Sequence, residues 1–164
     1  MRTLLVALSF AALAAAADRK PSRAVLKDAE NRFDALVQRQ WADDPLVLLG
    51  SSRALYVEGV GVIVAAEINL VTGPTVSPFN PTISKEAIAR HRAKKLERMP
   101  QLRKLIQSGA EASRSWFPDL ADNEKIILGV VLLKYSWEDP AGMPSQIIAV
   151  TGRSATSPVK MQEN

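Results

Sequence analysis

The stretch Arg53–Val71, RALYVEGVGVIVAAEINLV, constrains this chain more than any other, because its composition fits only a buried, extended structure. Seven Val or Ile residues fall within nineteen positions. β-branched side chains are stiff at χ1 and pack well on a pleated surface, so strand is favoured over helix. Val60, Val62, Val64, Ala66, Ile68 and Leu70 alternate with Gly61, Ile63, Ala65, Glu67 and Asn69. Both sets begin apolar, the pattern of a central strand covered on both faces. Gly59 and Gly61 interrupt the run, and glycine inside a strand pattern marks a bulge or bend. One bent strand, or two strands sharing a bulge, is therefore expected ahead of a two-residue hairpin.

The first seventeen residues, MRTLLVALSFAALAAAA, stand apart from this pattern. Arg2 gives a positive start, Thr3 to Leu13 an apolar stretch, and Ala14 to Ala17 a small-residue cleavage region. That arrangement reads as a secretory signal peptide at 1–17. The apolar stretch is shorter than the roughly 20 residues that span a bilayer, and no later stretch is long enough either. The chain has no cysteine, which excludes disulfides, thiol nucleophiles and thiolate metal sites. Export without disulfides suits a bacterial envelope protein, so a periplasmic or extracellular address is expected. The remainder divides into a single domain at 18–153 and a polar tail, SATSPVKMQEN, expected to be disordered at 154–164.

Charge is unevenly spread. Between Lys85 and Lys104 eight Lys or Arg face two Glu, a local net of +6, within a chain whose formal net charge is +4. The body is thus mildly acidic and carries one strongly basic segment. Ahead of the central stretch, Val25, Ala29, Phe33, Leu36 and Val37 recur at helical spacing between about Pro21 and Gln40, and Asp43-Asp44-Pro45 ends that helix. Behind it, Pro74, Pro78 and Pro81 forbid regular pairing over 72–82, a loop that is either a lid or a fixed crossing, with Phe79 packed onto the body. A long helix then starts at the N-cap Ser84, and Pro100 calls for a kink or for two helices meeting there. Residues 125–137 read as strand or helix. Gly129 and the ending KYSW favour strand, with QIIAVT at 146–151 returning as its hairpin partner. The expected fold is α+β: one antiparallel-rich sheet of about four strands, packed by an N-terminal helix and a long, kinked central helix.

No catalytic, cofactor or metal motif emerges. His91 is the only histidine. A triad would need it as base, and a transition-metal site usually takes more than one imidazole. Glu58, Glu67 and His91 are the residues on which an unrecognised enzyme would depend. The glycines at 50, 59 and 61 lack the spacing and the Gly-Lys-Ser/Thr of a phosphate loop. The basic helix is the stronger candidate. Lys85, Arg92 and Arg103 border one side of its apolar face and Arg90, Lys94 and Arg98 the other, with Lys95 near the middle. These seven side chains are candidate contacts for an acidic partner or an anionic lipid surface. No aromatic residue interleaves with them, and an exported protein has no access to genomic DNA, so DNA is not an expected partner. Glu67 and Asn69 form a polar exit from the central strand.

YVEGVGVIVAAEINL, PFNPTISKE and YSWEDPAGMPSQI, together with the leader, resemble a group of uncharacterised exported bacterial proteins. The pattern is a strand of the YxxGxGxxxxxxEIN type followed by a SWED-type hairpin. That resemblance covers most of the chain and implies export without implying an activity. The expected function is accordingly that of a non-enzymatic exported protein that binds a protein partner or assembles with itself.

Overall fold

The computed structural model describes residues 20–41, 46–76, 78–79 and 82–164. The leader, the Asp43-Asp44-Pro45 stop and Pro81 of the proline-rich loop lie outside the described residues. Helix α1 spans Arg23–Gln40, capped by the Ser22 hydroxyl, which accepts from the Val25 N–H. Leu26, Ala29, Phe33 and Val37 recur at the three- and four-residue spacing of one helical face and are all buried. Strands β1 (Val47–Leu48) and β2 (Arg53–Val57) both pair antiparallel with β3 (Gly61–Asn69) along the same edge. They are two halves of one edge line, broken at Gly50, whose φ of 90° suits a residue without Cβ. Helix α2 spans Lys85–Ser113, and β4 (Lys125–Leu132), β5 (Gln146–Gly152) and β6 (Lys160–Glu163) complete the sheet.

The α+β class expected from the sequence holds, but the sheet is larger and mixed. It has six strands, in the order β1–β3–β4–β5–β6 with β2 also on β3. The central pair, β3 with β4, is parallel, and the other pairings are antiparallel. Parallel neighbours need a crossover, and α2 supplies it. The tail expected to be disordered contributes β6, paired with β5. Arg114 holds the turn before it, donating to the carbonyls of Ala155 and Ser157 and to Thr151 Oγ1. Arg103 grips Glu163 with two hydrogen bonds of 2.5 and 2.9 Å.

Three local expectations are also corrected. Residues 58–60 close a β2–β3 hairpin in which Val57 pairs with Gly61, so the glycines make a three-residue turn instead of a bulge in one strand. Gly61 has φ 122°, and a Cβ there would sit 1.9 Å from the Lys125 carbonyl. Helix α2 continues through Pro100 to Ser113, so two separate helices do not meet there. Pro100 is exposed, so its ring and the Leu96 carbonyl it leaves unbonded both lie on the solvent side. Phe79 does not pack on the body; it is 99 % exposed.

Capping starts α2 as expected: Ser84 Oγ accepts from the Ala87 N–H at 3.2 Å. Ser84→Ala should lower stability by about 1 kcal/mol. In a thermal melt followed by circular dichroism this appears as a drop of about 4 °C. An unchanged melting temperature would show that the cap contributes nothing here.

Both helices pack on one face of the sheet. Val62, Val64 and Ile68 of β3, with Ile126, Leu128 and Val130 of β4, share one core with Phe33 of α1 and Leu102 and Ile106 of α2. Among the described residues the central strand is therefore covered on one face, where cover on both was expected. The opposite residues of β3, Ile63 and Ala65, are only half-buried, and Glu67 is exposed.

Candidate functional site

Two features of the fold invite a functional reading: a buried polar cluster at one end of α2 and the uncovered face of the sheet.

The cluster is built from α2 and the connection that follows β4. His91 and Lys95 lie one turn apart and point inward from the basic helix. Lys95 Nζ donates to both carboxylate oxygens of Glu138, at 2.7 and 2.6 Å, and to the Leu133 carbonyl at 3.0 Å. His91 Nε2 lies 2.9 Å from Glu138 Oε1. The imidazole also meets Tyr135 and Trp137 edge-on, and those two rings stack on each other with centroids 4.9 Å apart. Tyr135 Oη accepts from Asn69 Nδ2 at 2.7 Å and from the Gly73 N–H at 3.4 Å. Gly73 lies against the flat aromatic pair, so closely that a Cβ would come within 2.8 Å of Trp137. The proline-rich loop is pinned there, where the sequence reading had assigned the role to Phe79.

A carboxylate between an ammonium and an imidazole is catalytic material in an open cleft. Here the polar atoms are spent on one another. The cavity against Lys95, Glu138 and Met99 holds about 10 Å³, room for about one water molecule. The arrangement clasps the 133–145 connection to α2. Glu58 and Glu67, the other residues weighed for chemistry, do not converge on it. Glu58 is at the surface beside Lys20, which holds its carboxyl below the ordinary range, and Glu67 faces away on the sheet. Among the described residues no group of three or more His, Asp or Glu could hold a metal ion.

The seven cations of the basic helix do not form one surface. Lys95 and Arg98 are buried, and Arg98 donates to the Leu70 carbonyl at 2.6 Å. Arg92 donates to the Ala141 carbonyl, and Arg103 is tied to Glu163. Lys94 also has an interaction partner. Lys85 and Arg90 remain exposed on the outer side of the first turns. Of the polar strand exit, Asn69 is buried against Tyr135 and Glu67 is exposed.

The uncovered face was missed by sequence reasoning. The pairing register arranges it in rows across the strands. Leu55, Ile63, Ile127 and Val150 stand side by side in one row, and Ala65, Gly129 and Ile148 in the next, which Arg53 closes at the β2 edge. Leu55 is 47 % exposed and Val131, one row further on, 45 %. At the centre, a Cβ added to Gly129 would meet nothing within 4 Å. Aliphatic side chains on a sheet ordinarily lie under a second layer. Here no described element supplies one.

No protein-family model, curated protein or solved structure matches this chain. The functional reading therefore rests on these two features alone. Among the described residues no helix is long and apolar enough to cross a membrane.

Proposed function

We propose that this is an exported, non-enzymatic interaction protein that docks a protein surface through the uncovered face of its sheet. The observation carrying this reading is the apolar centre of that face, with Leu55 and Val131 near half exposed and Gly129 open above. The largest apolar patch on a protein surface, rimmed by polar groups, is often its functional contact. The leader-like first seventeen residues and the lack of cysteine support an address in the bacterial periplasm or outside the cell. Contact with an anionic surface through the basic helix has less support, because Lys95, Arg98 and Arg103 are engaged within the fold.

The test is to place a charge on the face without disturbing the core. Gly129→Lys and Val131→Asp alter residues that meet open space or are half exposed, so the far-ultraviolet spectrum and cooperative unfolding should persist. Chemical crosslinking of the protein in its native envelope, or of the purified protein, should then lose the adducts formed by the wild type. Adducts unchanged by both variants, or a wild type that forms none, would remove the face as the docking surface.

A further inference from the structure

We infer that the occupant of the uncovered face is a second copy of the same chain, packed face to face about a two-fold axis running across the strands. This inference rests on the docking role proposed for that face and names its partner. Charge placement carries it. At one end of the face Glu67 stands in the row with Val131 and Gln146. At the other end Lys125 stands in the row with Gly61 and Gly152. Both are exposed, and among the described residues neither has an ion-pair partner. Six residues separate the two rows along a strand, about 20 Å. Two rows lie between them, apolar at their centres, with Arg53 at the β2 end of one and Lys160 at the β6 end of the other.

A two-fold axis in the plane between two such faces can run along the strands or across them. Along the strands, each row lies over its own copy, so Glu67 faces the glutamate row and Lys125 the lysine row. Like charges juxtaposed at an interface are unfavourable. Across the strands, the order of rows is reversed in the partner. The Glu67 row of each copy then covers the Lys125 row of the other, and the central apolar rows cover each other. Strand position is kept, so Glu67 lies over Gly61 of the other copy, one strand from its Lys125. The same diagonal carboxylate–ammonium pair forms twice, as an isologous interface requires. Arg53 lies over Leu55 of the second copy, along which its aliphatic stem can lie with the guanidinium at the rim. A recess of about 240 Å³ beside Lys125, bordered by Gly152, Ser157 and Lys160, leaves room for the incoming carboxylate. Lys160, in the row next to that of Lys125, would lie over Gln162 of the second copy, which is polar and uncharged.

The size of the face sets the expected strength. Rows about 7 Å apart on strands about 4.8 Å apart give a patch about 20 Å on each side, on the order of 400 Å² per copy. Two such patches total somewhat less than the roughly 1,000 Å² at which stable specific interfaces begin, before side-chain relief and the rim are counted. The dimer is therefore expected to be reversible, with a Kd in the micromolar range.

Sedimentation velocity of the purified protein from about 1 to about 300 µM tests this, on the wild type, Glu67→Lys, Lys125→Glu and the double charge reversal. The wild type should pass from monomer to dimer across that range. Each single reversal should raise Kd at least about tenfold, and the double variant should return to within about threefold of wild type. Gly129→Lys, which sets an ammonium over the apolar Ile127 row of the other copy, should be monomeric throughout. A wild type monomeric at every concentration overturns the inference. If Gly129→Lys still abolishes an envelope crosslink in that case, the docking role of the face stands with a different partner. A wild-type dimer that Gly129→Lys abolishes but the double reversal fails to restore overturns the crosswise arrangement. A dimer unaffected by Gly129→Lys places the contact elsewhere and removes both readings.

Discussion

Replacing Glu138 by Ala should destabilise the protein by about 3–5 kcal/mol, the usual consequence of stripping one partner from a buried ion pair. The reason is local. Lys95 Nζ would keep only the Leu133 carbonyl, and His91 would lose the acceptor on Nε2. Lys95 and Glu138 side chains are 6 % and 4 % exposed, so water cannot readily replace what is lost. Typical domains have 5–15 kcal/mol in total, so the loss consumes a large share of the margin. Urea titrations of wild type, Glu138→Ala, Lys95→Met and the double variant Lys95→Met/Glu138→Leu measure it. The double variant should be less destabilised than the sum of the singles, because the unpaired charge is removed with its partner. A single-variant effect below about 1 kcal/mol would show that the clasp is marginal to the fold.

The second large effect is acid-linked and centres on Glu30. This carboxylate is fully buried under the β2 edge. Burial by itself pushes its pKa up. The Ala54 N–H at 3.0 Å, Lys27 at 3.0 Å and Arg23 at 3.0 Å outweigh that and hold the carboxyl at about 2, against an ordinary value of 4.5. A depressed folded-state pKa stabilises the fold above the unfolded value, and the contribution is lost as pH falls through the folded value. Full stabilisation is therefore present above about pH 4.5 and disappears toward pH 2, a difference of about 3 kcal/mol. Glu30→Gln should be less stable than wild type by about that amount at pH 7, with the gap closing to under about 1 kcal/mol at pH 2. Denaturant unfolding at several pH values reads both curves. A gap that stays constant with pH would remove ionisation of Glu30 as its cause.

Glu30 also illustrates how α1 protects the sheet. β2 is an edge strand, and edge strands expose unpaired N–H groups that invite unwanted pairing. Glu30 takes the Ala54 N–H, and Asp34 takes both the N–H and the hydroxyl of Ser52. Two acids one turn apart on α1 thus bind the backbone where the edge line bends. On the far side of the hairpin Glu124 accepts from Tyr56 Oη and the Gly59 N–H. At the other edge, β6 is short and begins with an exposed lysine.

Local chemistry was legible in the sequence wherever a short-range rule decides. Ser84 as a helix cap depends on the three residues after it. The apolar stripe of α1 follows from spacing alone, and Lys95 stood out as a cation in the middle of an apolar helix face. The strand character of 125–132 followed from Gly129 and its neighbours. Partners distant in sequence were not legible. Nothing near Lys95 points to Glu138, 43 residues on, and nothing in SATSPVKMQEN predicts a strand. That segment is ordered by Arg103 and Arg114, which reach it from 60 and 43 residues away in sequence.

The sequence by itself determined that the apolar run from Val60 to Leu70 holds a central strand, that the class is α+β and that no cysteine chemistry operates. It could not determine which side of that centre is covered. An apolar alternation on both faces of a strand has the same composition whether the second layer comes from the same chain or from another molecule. Only the tertiary structure showed both helices on one face, since the parallel β3–β4 crossover through α2 returns the chain to the side where α1 already lies. Among the described residues nothing covers the other face, which keeps its aliphatic rows, with Glu67 at one end and Lys125 at the other.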